Sequence, residues 1–288
     1  MKVLYLFFFF FFLFICITFV AEFRVIVFLL MDQFYFFIFV VALIGVIVFV
    51  SLYFVDAGYG KMISDKWGPA INNKVGWMLM ECPVFFMMIF MWGSSSVRFS
   101  LPYIVFFLMF ELHYFQRSFV FPLLMKGNIK MPLVIMALSI VFNFINGYMQ
   151  GYWLFVKAPQ EMLYLDLYTS SWLTDPRFII GALLFFSGMI INWNSDYIIR
   201  HLRKPGDTAH YLPKGGMYNY VTSANYFGEI VEWAGWAMLT WSWAGFVFFW
   251  FTCANLVPRA NAIWHKYSVE FADEFGKRNL KRVFPFVY

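Results

Sequence analysis

This chain returns again and again to apolar stretches long enough to cross a bilayer. After a first run at 3–20, such stretches occupy 34–54, 75–91, 101–114, 133–149, 178–192, 220–239 and 243–256. A hydrocarbon layer of about 30 Å takes roughly 20 helical residues to cross. Without water to satisfy open backbone groups, a spanning segment must be a helix or part of a closed barrel. Barrel strands alternate apolar and polar residues, whereas these runs are apolar on every face. The expected fold is therefore an all-α polytopic membrane protein, a seven-transmembrane-helix bundle with the first run set aside. Composition agrees: hydrophobic residues make up 62% of the chain and charged residues 13%, far from a soluble domain's mixture.

The first run, with Lys2 in front, is long for a signal-peptide core and is followed by no small-residue cleavage site. It reads as one additional N-terminal hydrophobic helix. Alternatively, Met31 marks the start of the essential portion and residues 1–30 are dispensable. The chain shows no internal repeat and no linker, so 31–288 is taken as one membrane domain.

The formal net charge is +5, but the cations sit in short loops between spans rather than in a patch suited to nucleic acid. Sixteen Lys and Arg residues fall on one side of the seven-span layout, and only Arg98, Lys157 and Arg177 on the other. The positive-inside rule then places the C-terminus and the 200–204 loop in the cytosol, in a bacterial inner membrane or an endoplasmic reticulum membrane. Cys16, Cys82 and Cys253 are widely spaced in apolar runs, and the four histidines show no paired metal-ligand spacing, so no metal site is expected.

One stretch, 192–233, breaks the apolar pattern. It contains Asn192, Asp196, Arg200, Arg203, Lys204, Asn225, Glu229 and Glu232. Glu229 and Glu232 are three apart and share a helix face that lies at membrane depth, where an ionisable group is costly and usually functional. The Arg200, Arg203 and Lys204 cluster suits phosphate, although a cytosolic loop against anionic lipid would look the same. No GxGxxG or GxxxxGK motif occurs, so a dinucleotide would have to be held by the helices and their loops. Glu81 is isolated in an apolar span and followed by Pro83. In its protonated form it can donate to a ketone oxygen; a structural hydrogen bond to a neighbouring helix is the equal alternative. Taken singly, Tyr114 reads as an interfacial tyrosine and Arg117 as a snorkelling cation.

In order, these residues read Asn-x-x-Ser-Asp-x-x-x-Arg-x-Leu-Arg-Lys-Pro-Gly from Asn192, then Gly215-Gly216, then Ala-Asn-x-x-Gly-Glu-x-x-Glu-Trp from Ala224. The series resembles the C-terminal half of the steroid 5α-reductase family. Met80-Glu81-Cys82-Pro83 resembles that family's Glu-x-Pro site, and His113-Tyr114-Phe115-Gln116-Arg117 its His-Tyr-Phe-x-Arg. The likeness covers about 34–288 and is strongest from 177 onward. It implies a seven-helix bundle with NADPH toward the cytosolic half, in contact with Tyr59, Arg117, Asn192, Asp196, Arg200, Arg203, Asn225, Glu229 and Arg259. It also implies reduction of an enone: hydride reaches the β-carbon, C5 of a 3-oxo-Δ4 steroid, while Glu81 and Tyr114 stabilise the enolate oxygen. The expected partners are a steroid or other lipophilic enone and membrane lipid, not nucleic acid, with the chain acting as a monomer.

The sequence departs from the family pattern at three places. Met80 replaces a frequent glutamine, His210-Tyr211 stands where many members have Tyr-Arg, and Ile263-Trp264-His265-Lys266 alters a histidine-rich approach to Tyr267. A related reductase of enoyl thioesters or polyprenols is the nearest rival reading. A non-enzymatic lipid-binding bundle is the rival of another class, and it leaves the 192–233 polar residues without a role.

Overall fold

The computed structural model describes residues 32–55, 68–126, 130–202 and 210–288. The hydrophobic run at 3–20, the Tyr59 turn and Arg203 with Lys204 lie outside these residues. Packing separates a first unit ending at Ile44 from a second, Gly45–Tyr288. Helix α1, Gln33–Phe54, runs across that boundary.

The other helices belong to the second unit. They are α2 (Asn73–Ser94), α3 (Leu101–Leu124), α4 (Leu133–Gln160), a short α5 (Met162–Leu167), α6 (Pro176–Arg200), α7 (Ala224–Thr240), α8 (Trp243–Glu270) and a single turn, α9 (Ala272–Phe275). Their ends are set by local chemistry. Asn72 caps α2 by accepting from the Lys74 N–H at 2.9 Å, Asp175 does the same for Arg177 ahead of Pro176, and Ser242 accepts from Gly245 at 3.0 Å. Two three-residue strands, β1 (Ala70–Asn72) and β2 (Lys130–Pro132), pair antiparallel and tie the starts of α2 and α4 together.

Among the described residues, five helices are long and apolar enough to cross a membrane: α1, α2, α3, α4 and α6. The protein is thus a polytopic helical membrane protein, with five crossings given by length and composition against seven expected. The sixth and seventh expected spans are present as α7 and α8, but they differ from expectation. Helix α7 has 17 residues, about 26 Å, and starts at Ala224 instead of 220. The residues before it are held elsewhere: Thr222 and Ser223 donate their N–H groups to the Lys281 and Arg282 carbonyls. Helix α8 continues past 256 through Pro258 to Glu270, and its second half is polar. Helix α6 likewise runs beyond 192, so Arg200 is its last residue and not part of a loop.

The outward faces are apolar. Phe86, Phe90, Leu138, Val141, Leu183 and Ile190 are all more than half exposed, a liability in water and the expected surface in lipid. Inside, Phe106, Phe110, Phe185, Trp233 and Trp236 form an aromatic core between α3, α6 and α7. One end of the unit gathers the 95–100 turn, the 153–175 segment and the α7–α8 turn. Ser95 Oγ donates to the Phe155 carbonyl at 2.8 Å, and Trp172 Nε1 to the Leu239 carbonyl at 2.9 Å. That end carries the sparse cations Arg98, Lys157 and Arg177. There, Arg177 clamps Asp175 at 2.9 Å and holds its carboxyl down to about 2.

The closest helix contact decides where the polar residues fall. Gly181 and Gly188 on α6 meet Gly235 and Gly228 on α7, backbone against backbone. Such close approach is how membrane helices associate in the absence of a hydrophobic drive. It sets Asn192 beside Asn225, whose carbonyl accepts from Asn192 Nδ2 at 3.0 Å.

Candidate functional site

Glu81 lies on α2 and Tyr114 on α3, and α4 connects them. Asn143 Nδ2 donates to Glu81 Oε2 at 3.3 Å and to the Met80 carbonyl at 2.5 Å. Asn146 Nδ2 donates to the Tyr114 hydroxyl at 2.8 Å. Pro83 contributes locally, because its missing N–H and bulky ring open the helix ladder at the turn that carries Glu81. Tyr114 is 3% exposed and Asn146 fully buried. The carboxyl groups of Glu81, Glu229 and Glu232 are the acidic neighbours of Tyr114.

Arg117 links this corner to the 192–233 residues. The helix changes to π winding at Gln116–Val120, a distortion that often accompanies functional sites. The Arg117 guanidinium lies over the Trp77 and Phe121 rings at 4.8 and 4.5 Å and reaches Asp196 Oδ2 at 3.5 Å. Its charge neighbours are Glu229, Asp196, Glu81 and Glu232. Asp196 in turn faces Arg117, Arg200 and Glu229. Glu232, 1% exposed, pairs with His113 Nδ1 at 2.6 Å, and His113 is braced edge-on against Trp233 at 4.6 Å.

The fold thus brings together Glu81, Tyr114, Arg117, Asn192, Asp196, Arg200, Asn225 and Glu229, residues spread over four helices. Arg259 stands over the Tyr226 ring, next to Asn225, at 5.1 Å. Tyr59 and Arg203 lie outside the described residues. The altered segments have structural contacts: His210 pairs with Glu270 at 2.7 Å, and Trp264 Nε1 donates to the Leu280 carbonyl at 2.8 Å.

Sequence reasoning missed Asn143, Asn146 and Gln150 on α4. Gln150 Nε2 donates to the Ala244 carbonyl, and its Oε1 accepts from Trp236, both at 2.9 Å. The signal was present: Asn-x-x-Asn-x-x-x-Gln puts three amides on one face of an otherwise apolar span.

The polar set is suited to a nicotinamide dinucleotide. Arg117 and Arg200 are cations able to meet a phosphate, while Asp196, Glu229, Asn192 and Asn225 can engage ribose hydroxyls or a carboxamide. Arg200 Nη1 and Gln116 Oε1 are buried and have no hydrogen-bond partner among the described residues, so the first can donate to a polar ligand and the second accept from one.

A family model described as 3-oxo-5-alpha-steroid 4-dehydrogenase matches residues 129–288. The chain is 38% identical over 243 residues to steroid 5-alpha-reductase DET2 of Gossypium hirsutum, covering 83% of this chain and 91% of that protein. It is 36% identical over 248 residues to human 3-oxo-5-alpha-steroid 4-dehydrogenase 1, covering 85% and 92%. Against steroid 5-alpha-reductase DET2 of Solanum lycopersicum the identity is 35% over 268 residues, covering 89% and 98%.

Proposed function

Because the chain belongs to the 3-oxo-5-alpha-steroid 4-dehydrogenase family, and so is an oxidoreductase acting on a CH–CH bond, we propose that it uses NADPH to reduce the Δ4 double bond of 3-oxo-Δ4 steroids to 5α-reduced products. The observation that carries this reading is the meeting of Glu81 and Tyr114 through α4, beside the Arg117–Asp196 pair. Two oxygen acids next to a buried cation-and-amide cluster suit an enone whose carbonyl is polarised beside a dinucleotide.

Tyr59, Arg117, Asn192, Asp196, Arg200, Arg203, Asn225, Glu229 and Arg259 are the residues assigned to hold the cofactor. When bound, NADPH supplies the hydride that reaches C5. Glu81 and Tyr114 donate hydrogen bonds to the 3-keto oxygen, where negative charge develops, and preorganised donors in a dry site stabilise that charge far better than water does. A proton then adds at C4. The apolar walls exclude water and hold the two reactants in register. The cation-rich end, with the cofactor residues and the C-terminus, faces the cytosol.

The test is an assay of the detergent-solubilised protein with NADPH against 3-oxo-Δ4 steroids and enoyl thioesters, following deuterium from labelled cofactor into C5. Reduction of thioesters but not steroids would overturn the substrate assignment. Glu81→Gln and Tyr114→Phe should each lower kcat by about 10²–10³ while NADPH binding holds. The double variant should lose much less than the product of the single losses, because the two act as one unit. A loss equal to that product would mean the two side chains do not share a carbonyl.

A further inference from the structure

We infer that Asn143 and Asn146 of α4 are positioning residues that fix the direction in which Glu81 and Tyr114 offer their protons, an inference that rests on the reading of those two as the carbonyl-polarising pair. Amides are expensive in the middle of an apolar span and persist where they have partners. Both Asn143 and Asn146 are more than nine-tenths buried, and both spend their Nδ2 groups on the two side chains in question.

The sense of these bonds matters more than their number. A phenol oxygen that accepts from Asn146 Nδ2 keeps its own hydrogen for another acceptor. A carboxyl whose Oε2 accepts from Asn143 is left with Oε1 as the oxygen that carries and presents a proton. Both acids are thereby turned into donors that face away from α4, which is what a shared carbonyl oxygen requires. The opposite orientation of the Asn146 amide would draw the phenol proton back toward α4. It would also place two N–H hydrogens where Asn146 Oδ1 now stands, a buried position with no hydrogen-bond partner among the described residues. Leaving one acceptor unmatched costs less than leaving two donors so, and this selects the donating orientation.

Helix α4 is held firmly enough to impose this geometry. Gly147 lies so close to α2 that an added Cβ would fall 2.9 Å from Met87 Cβ and 3.2 Å from Val84 Cα. One turn further on, Gln150 ties α4 to Trp236 of α7 and to the Ala244 carbonyl of α8. The two asparagines therefore stand on a helix anchored to three neighbours, the kind of rigid support a preorganised site needs.

The experiment compares Asn146→Ala, Asn146→Asp and Asn143→Ala with Tyr114→Phe, Glu81→Gln and the Asn146→Ala/Tyr114→Phe double variant, each for kcat, steroid KM, NADPH affinity and thermal midpoint. Asn146→Ala should lower kcat about 10-fold or more, with NADPH affinity unchanged. Asn146→Asp should lower it further, because a carboxylate there accepts the phenol proton. The double variant should be no worse than Tyr114→Phe alone, since Asn146 acts only through Tyr114. If Asn146→Asp does not fold, the Asn146→Ala cycle still decides. Losses in the cycle that multiply, or asparagine variants with normal kcat while Tyr114→Phe is impaired, overturn the inference and leave the carbonyl pair standing. Normal turnover in both Tyr114→Phe and Glu81→Gln removes the pair, and the inference with it.

Discussion

Replacing Gly188 with Ala should loosen the site without altering any of its side chains. A methyl at that position would stand 2.5 Å from the Gly228 carbonyl oxygen and 2.7 Å from Glu232 Cα. Comfortable contact needs about 3.5 Å, and both neighbours are backbone, so no flexible side-chain end can swing aside. The helices must move apart by about an ångström. Overpacking costs about 1–3 kcal/mol, and with rigid neighbours the upper part of that range applies. The exchange of Gly for Ala in a helix returns roughly 0.5–1 kcal/mol, leaving a net loss of about 2 kcal/mol. At about 2–4 °C per kcal/mol for a chain near this size, the thermal midpoint should fall by about 4–8 °C. Gly93→Ala on α2 is the matched control, since nothing lies within 4 Å of its added methyl. It should be neutral or stabilising by up to roughly 1 kcal/mol. The displacement at Gly188 also pulls on the 3.0 Å Asn192–Asn225 bond one turn away, so NADPH affinity should drop with stability. The assay is a pair of melts in detergent, with and without NADPH. If Gly188→Ala melts as high as Gly93→Ala, the two backbones are not in limiting contact and this account of α6 and α7 is wrong.

Arg203→Ala should raise the NADPH requirement about 10–150-fold, the equivalent of a charge-assisted contact of about 1.5–3 kcal/mol; an equal rise in the steroid KM would mark the cluster as merely topological. His113→Ala leaves the Glu232 carboxyl buried without its partner, which typically costs about 1–3 kcal/mol, and adding Glu232→Gln should restore part of it. Melts of the two variants check this, and a His113→Ala protein as stable as the parent would contradict it. Asp175, held down to about 2 by Arg177, contributes stability that is complete above the ordinary carboxylate value of about 3.9 and is lost as pH falls through about 2. Asp175→Asn should therefore melt below the parent at neutral pH and converge with it in strong acid; a constant gap across that range would refute the ion pair.

Residue types and helix existence were legible in the sequence; partners and helix ends were not. The apolar runs located each long helix because burial in lipid selects composition directly. Their ends shifted wherever polar residues found partners inside the protein. The sequence ends this span at Asn192 and puts Arg200 in a loop, yet α6 continues through both, with Asn192 bonded to α7 and Asp196 facing Arg117 instead of lipid. The start of α7 was misplaced for the opposite reason. Residues 221–223 look like span but are bound to the C-terminal tail, more than fifty residues away in sequence.

Met80 shows how the same limit works within the site. A side-chain pattern can register only that a polar group is absent there, and it leaves that corner looking one contact poorer. Pro83 changes what the backbone offers, because a proline withdraws an N–H from the ladder and crowds the preceding turn. On the same face the Met80 carbonyl is engaged by Asn143, the same amide that reaches Glu81. One amide of α4 thus reaches both the acid and the backbone carbonyl beside it. No local spacing rule could link residue 81 to residue 143, whereas the antiparallel β1–β2 pairing that sets α2 beside α4 brings them together at once.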